Sequence, residues 1–289
     1  MDVYLVDGTY ELFRHFYGVP SSVTKDGREV AATRGVIGSL LGMLEAGVTH
    51  LGVATDHVIE SFRNEMWPGY KSSAGVDPLI LAQFPLLEEG LAAMGVALWP
   101  MVELEADDGL AGAAKSAAGW PEVGRVYLCT PDKDMAQLVG DDRIVMLNRR
   151  TNAVTDEAGV TEKFGVPPRS IPDYLALVGD SADGFPGLSG WGAKTAATVL
   201  ARWGSIDAIP DDPIDWDVAI RGAEKCAAAL REGRDLAFLF RDLATLRTTS
   251  PVLKSPEELR WAGPKPNFEA FCERIEAPDM FRRASAAAS

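Results

Sequence analysis

The feature that most restricts the fold is an alternation in the first half of the chain. Short β-rich runs at residues 3–6, 50–55, 96–99, 125–129 and 143–147 are separated by longer segments. Three of those segments, 31–46, 79–94 and 107–118, repeat their apolar residues at helical spacing. Strands that alternate with helices predict a parallel sheet covered on both faces. Beyond Asp156 the pattern turns helical. One helix ends at Gly165, and others are expected over 170–178, 193–203 and 223–246. Two parts are therefore expected, an α/β part over 1–155 and a helical part over 156–289. Residues 67–77 and 208–216, rich in Pro, Gly or Asp, read as loops, and 284–289 as a frayed end.

Of the 289 residues, 47% are hydrophobic and 24% charged, the balance of a soluble globular protein. The longest apolar run, 36–44, contains Gly and Ser and is too short to cross a bilayer. The first residues carry neither a basic leader nor a cleavage site, so a cytoplasmic protein with no membrane association is expected. Cys129, Cys226 and Cys272 are too far apart for a disulfide framework or a zinc pattern. His15, His50 and His57 are too few and scattered for a histidine-rich metal site. The net charge of −14, taken alone, argues against nucleic acid. It loses that force if many of the acids share one metal-filled pocket.

The position of the acids then becomes decisive. Asp7 follows the first β-run, Asp56 the second, and Asp132 and Asp134 the run at 125–129. Glu105, Asp107 and Asp108 come shortly after the run at 96–99 and open a helix. Asp180 and Asp183 lie three apart further on. An open parallel sheet binds ligands beyond the carboxyl ends of its strands. A single acid there is ordinarily a helix cap or a turn former. The same placement after four of these runs brings anions together that repel unless cations lie between them. Oxygen ligands without a His or Cys set point to magnesium or manganese. Two such ions are the usual device for phosphodiester hydrolysis, one activating water and the other stabilising the leaving oxygen.

With these residues in view, the chain resembles the 5′-nuclease superfamily: bacterial 5′–3′ exonucleases, the N-terminal nuclease domain of DNA polymerase I, and flap endonucleases. The likeness runs from about residue 3 to about residue 246. It rests on Leu5-Val6-Asp7-Gly8 with Leu12-Phe13-Arg14, and on Thr55-Asp56 with Ser61-Phe62-Arg63 and Pro68-Gly69-Tyr70-Lys71. It continues through Glu105-Ala106-Asp107-Asp108 and Thr130-Pro131-Asp132-Lys133-Asp134. It closes on Gly179-Asp180-Ser181-Ala182-Asp183 and the glycine-rich stretch 186–196.

The resemblance implies a PIN-like 5′-nuclease fold: a mostly parallel sheet flanked by helices, a helical arch over about 67–91, and a helical C-terminal subdomain with a helix–turn–helix element. Asp7, Asp56, Glu105 and Asp107 would surround a first divalent ion, and Asp132, Asp134 and Asp183 a second. Asp108 and Asp180 would support them. Arg63 and Lys71 would meet the scissile phosphate, Tyr70 would stack on a base, and Arg14 would contact the backbone or pair with an acid. Gly187, Gly190 and Gly192 let a backbone approach phosphate at a helix N-terminus, and Lys194 and Thr195 add a charge and a hydroxyl. By the same resemblance, carbonyls of Leu177, Val178, Pro186, Leu188 and Trp191 would hold a potassium ion. Lys133, between two acids, reads as a local charge partner.

Two positions depart from the family. Gly184 stands where Asn is usual, and Ser72-Ser73-Ala74-Gly75 stands where a basic residue often follows the Tyr-Lys pair. The expected protein is a monomeric, stand-alone 5′–3′ exonuclease with flap endonuclease activity, acting on DNA ends, nicks or flaps. A metal-dependent ribonuclease of a related fold and a non-catalytic DNA-binding module are the alternatives.

Overall fold

The computed structural model describes residues 1–250 and 252–289. In chain order the elements begin β1 (Asp2–Asp7), α1 (Gly8–Gly18), α2 (Ala31–Glu45), β2 (His50–Asp56), α3 (Arg63–Met66), α4 (Pro78–Leu81) and α5 (Gln83–Met94). They continue with β3 (Ala97–Met101), α6 (Ala106–Ala118), β4 (Arg125–Cys129), β5 (Ile144–Asn148), β6 (Ala153–Thr155), α7 (Glu157–Phe164) and α8 (Ile171–Val178). The last are α9 (Ala193–Trp203), α10 (Ala223–Glu232), α11 (Arg234–Ala244), α12 (Phe268–Arg274) and α13 (Asp279–Ala287). The chain forms two compact units, residues 1–59, 73–130 and 247–289 in the first, and 60–72 and 131–246 in the second.

In the first unit four parallel strands run in the order β3-β2-β1-β4. Every residue of β2 is buried, as expected for a strand covered on both faces. Helix α6 packs along all four strands, α1 and α5 lie against β2, and α2 rests on both of those helices. The chain steps from β1 outward to β3, then returns to place β4 on the other side of β1. That reversal is the topological switch point at which an open α/β sheet binds its ligand. The expected helix at 79–94 is present as α4 and α5. Helix α1, which the apolar period did not announce, starts directly on β1 and is capped by Asp7.

The second unit contains an antiparallel hairpin of β5 and β6 and the helices α3 and α7 to α11. Helix α8 packs on α9 and α11 around Leu175, Phe185, Phe240 and Leu243, all buried. The helix expected over 223–246 is two helices, α10 and α11, that meet at Gly233.

Three expectations need correction. Residues 247–289 group with the first unit, where α12 packs on α5 and α13 on α2. The last residues do not fray at 284, because α13 buries Met280 and Ala284. The stretch 67–91 is not one arch-like element. Residues 67–72 belong to the second unit, whereas α5 buries Phe84, Leu86, Leu87 and Leu91 in the core of the first. Its apolar residues decide that, since a free-standing helix would leave them in water. Among the described residues, no helix is long and apolar enough to cross a membrane.

Candidate metal centre and nucleic-acid interface

The first unit collects five of the predicted acids at the carboxyl edge of its sheet. Asp7 ends β1, and one of its oxygens accepts the N–H of Tyr10 at 2.8 Å, capping α1. The other accepts the Thr130 hydroxyl at 3.1 Å, from the residue after β4. Asp56 ends β2, where Oδ1 accepts the N–H of Ala106 at 2.7 Å and its own N–H donates to Thr9 at 2.8 Å. These bonds tie the ends of β1, β2 and β4 to the start of α6. Glu105 and Asp108 form a capping box at that start. Asp108 also accepts the N–H of Arg247 at 2.8 Å, so each of its carboxylate oxygens takes a backbone N–H. Asp107 stands half-buried in the first turn of α6.

The second unit holds the other four acids. Oxygens of Asp134, Asp180 and Asp183 lie within 4.8 Å of one another. Exposed Asp132 joins them by accepting the N–H of Asp134 at 3.0 Å. Asp180 and Phe185 exchange backbone bonds of 2.8 and 3.0 Å, closing a tight loop that carries Asp183. Lys133 donates to Asp180 at 2.7 Å, the local charge partner the spacing suggested. Lys71 lies 3.1 Å from Asp183 Oδ1.

The second cluster has the chemistry of a cation site. Asp134 is 5% exposed, and its Oδ1 is buried with no hydrogen-bond partner. Burial first, then the charges of Asp132, Asp183 and Asp180, hold its carboxyl well above the usual carboxylate range. Burial works against the charge on Lys133 as well, but Asp180, Asp134 and Asp132 outweigh it and raise that amine. An unpaired buried carboxylate oxygen among three other acids is what a hard divalent cation would satisfy. The residues therefore fit such an ion.

Around this cluster two cationic and aromatic expectations change. Arg63 is 1% exposed, and its guanidinium donates to the carbonyls of Leu243 at 2.8 Å and Thr245 at 3.3 Å. It anchors the end of α11 and is not displayed to a phosphate. Tyr70 is 5% exposed, so its ring is core and offers no free face to a base. Lys71, about a quarter exposed, keeps access to solvent. Arg14 pairs with Glu11 at 2.5 Å, the second of the two roles open to it.

The glycine-rich stretch is a turn into α9. Gly190 has φ +81 with open space where a Cβ would stand, and Gly192 caps α9 with a side equally open. Lys194 is exposed and Thr195 half-buried in the first turn. Gly187 differs: it is buried, has φ +69, and packs its backbone against Gly179 and Leu177, so it shapes the turn from below. Trp191 is buried and donates its indole N–H to Cys226 at 3.0 Å. Among the carbonyls considered for potassium, Leu177 accepts from Leu188, and Leu188 from Trp191. Val178 and Pro186 line an open hollow with Asp180 and Gly184.

Thr130 and Thr9 were not assigned roles from sequence, although Thr130 holds the Asp7 carboxylate and Thr9 the backbone of Asp56. Thr130 sits inside a motif beside Asp132, which was its one signal. Trp67 carried none, and it donates to the carbonyl of Gly184 in the acid-bearing loop.

Comparison with known proteins gives two family matches end to end. Residues 2–165 match the 5′–3′ exonuclease N-terminal resolvase-like domain, and 166–267 the 5′–3′ exonuclease C-terminal SAM fold. A protein named 5′–3′ exonuclease from Aquifex aeolicus is 32% identical over 96% of this chain and 92% of its own length. DNA polymerase I of Pseudomonas aeruginosa is 37% identical over 84% of this chain, which spans only 27% of that relative. Among solved structures, T5 5′-exonuclease with bound zinc superposes with a TM-score of 0.64 at 18% identity, covering 99% of this chain and 98% of that one. The catalytic core of Rad2 in complex with DNA substrate gives 0.66 at 15% identity, covering 99% and 92%. At such identities the structures establish the fold, a sheet of mostly parallel strands flanked by helices.

Proposed function

The chain belongs to the 5′–3′ exonuclease family, and on that premise we propose that it hydrolyses DNA phosphodiester bonds from 5′ ends and at flaps. It does so with two divalent cations, magnesium or manganese. The observation that carries this reading is the oxygen-only cluster of Asp134, Asp180 and Asp183, with one buried carboxylate oxygen left unpaired. Divalent cations bound to such carboxylates supply a water of lowered pKa and neutralise charge on the phosphate and the leaving oxygen.

The side chains divide the remaining work. Asp132, Asp134 and Asp183 hold one cation, and Asp180 steadies the loop that carries Asp183. Asp7, Asp56, Glu105 and Asp107 hold the other, with Asp108 fixing the start of α6. The bonds from Tyr10, Thr130 and Ala106 fix the Asp7 and Asp56 carboxylates before substrate arrives, which lowers the cost of reorganisation. Lys71, already beside Asp183, is the cation placed to meet a scissile phosphate. The N–H groups opening α9, with Gly190 and Gly192 leaving the approach clear, grip duplex phosphates, aided by Lys194 and Thr195. A potassium ion against the carbonyls of Val178 and Pro186 would extend that grip. We assign the nuclease role to residues 1–155 and DNA binding to the helical residues that follow, up to 246, with 247–289 completing the first unit. We place the activity in a monomer in the cytoplasm, where buried Cys129, Cys226 and Cys272 persist as thiols.

The test is cleavage of 5′-labelled flap, nicked and single-stranded DNA, with RNA in parallel, in magnesium, manganese or EDTA. DNA products are expected with either metal and none in EDTA. Asp132→Ala and Asp7→Ala are each expected to lower turnover about a thousandfold or more. Undiminished turnover in both variants, or preferential cleavage of RNA, refutes the reading.

A further inference from the structure

We infer that Trp67 is a positioning residue for the Asp180 and Asp183 half of the metal centre, an inference that rests on the proposal that this cluster holds a divalent cation. The indole N–H of Trp67 donates to the carbonyl of Gly184 at 3.0 Å. Four residues later the backbone N–H of Lys71 donates to the carbonyl of Asp183 at 3.0 Å. Two consecutive carbonyls of the acid-bearing loop are thus tied to one short segment. The Lys71 ammonium reaches the Asp183 carboxylate from that same segment.

The segment is itself held. The Trp67 ring meets Phe240 edge-on at 5.1 Å, and Phe240 stacks on Phe185 at the base of the loop. Asn64 donates to the carbonyl of Lys71 at 2.9 Å, and fully buried Arg63 fixes the segment's start to the end of α11. The fit admits no side chain at its closest point. A Cβ on Gly184 would stand 2.0 Å from the carbonyl oxygen of Gly69, and Gly184 has φ +83. The glycine that replaces the family's usual Asn is therefore what lets the two backbones touch. Trp67 remains partly open to solvent. Its ring thus contributes less to the core than a buried tryptophan, while its only polar atom is spent on the loop. Asp183 takes its place from this attachment, so loosening it weakens the hold on a cation before it weakens the fold.

The experiment uses the full chain and manganese as the probe. Binding is followed by titration calorimetry without DNA, alongside magnesium-dependent cleavage and melting in EDTA. Trp67→Phe keeps the ring on Phe240 and removes the N–H. It is expected to weaken manganese binding about two- to tenfold, the worth of one hydrogen bond. The magnesium needed for half-maximal rate should rise by a similar factor, with kcat restored at saturating magnesium, KM for DNA unchanged, and the melting midpoint in EDTA kept. Gly184→Ala, which forces the backbones apart, should shift metal binding in the same direction. Wild-type manganese affinity in Trp67→Phe overturns the inference. So does a loss matched by a fall in the EDTA midpoint with kcat not recovered, which is the mark of packing alone. Asp183→Ala separates the premise: wild-type manganese binding there removes the metal centre itself, whereas lost binding there beside an unaffected Trp67→Phe removes only the role of Trp67.

Discussion

Arg63, Tyr70 and Lys71 share one motif, yet burial gives them different work. Arg63 has no face toward solvent, and its bonds run to carbonyls at the end of α11. Truncating it leaves those carbonyls unpaired and a cavity behind. Arg63→Ala should therefore cost about 2–4 kcal/mol of stability in a denaturant titration. Full stability together with a collapse in turnover would return Arg63 to the phosphate. Asp134 makes the opposite case, a residue that strains the metal-free fold. Its folded pKa is raised by burial and by Asp132, Asp183 and Asp180. Its contribution to stability is thus fully present below the unfolded carboxylate pKa and is lost as pH rises through the folded value. Asp134→Asn should melt higher than the wild type in EDTA at neutral pH, and the gap should close as pH falls toward the carboxylate range. A gap that widens in acid would contradict this. The acid positions themselves were legible, because an acid after four of the five β-runs is visible in one dimension. Burial of Arg63 and Tyr70 was not, since a cation and an aromatic beside a loop read as surface until their packing partners are known.

Among the elements, the turn into α9 is the one whose role can be isolated. On the proposed reading its N–H groups and Lys194 would act on phosphate alone, without reading a base. Lys194→Ala should weaken duplex binding to a similar extent on unrelated sequences and lower the salt slope of log K by about 1. A sequence-dependent effect or an unchanged slope would remove Lys194 from the interface. Helices α9 and α8 were readable because glycines or prolines bracket their apolar periods. Helix α1 was not. It starts without a loop from the last residue of β1, and Thr, Tyr, Phe and His supply little intrinsic helix preference. It exists because Asp7 caps it and β2 lies against it. The stretch 67–91 failed as a single element for a related reason. Its second half is amphipathic enough to join a core, and only the fold states which core.

On the scale of the molecule, residues 247–289 matter more than their position at the chain end suggests. They bury Leu259, Phe268, Phe271 and Cys272 in the first unit, with Phe271 close to Gly90 of α5. Residue 261 donates to the Thr49 carbonyl at 2.8 Å, just before β2. Ending the chain after Leu246 should expose the α2 and α5 faces and abolish the cooperative melt of the first unit by circular dichroism. A truncated chain that melts like the whole one would place these helices outside the core. Cation binding acts on the same scale. Magnesium at about 100 times its dissociation constant should stabilise the protein by about 2.7 kcal/mol per site. Asp134→Asn should lose that increment for the site it lines, as scanning calorimetry would register.

The sequence by itself determined the strand–helix alternation, the acids after four of the β-runs, and the glycine-rich turn into α9, because each is a local pattern of period, charge or glycine. Only the tertiary structure decided which of those residues face solvent and which segments join which unit. Packing depends on partners distant in the chain: Leu243 for Arg63, Gly69 for Gly184, α5 for α12. No local period encodes such pairings. The alternation that first restricted the fold keeps its place, and it is the packing behind the strand-end acids that separates those fixed by backbone bonds from Asp134, whose Oδ1 has no hydrogen-bond partner.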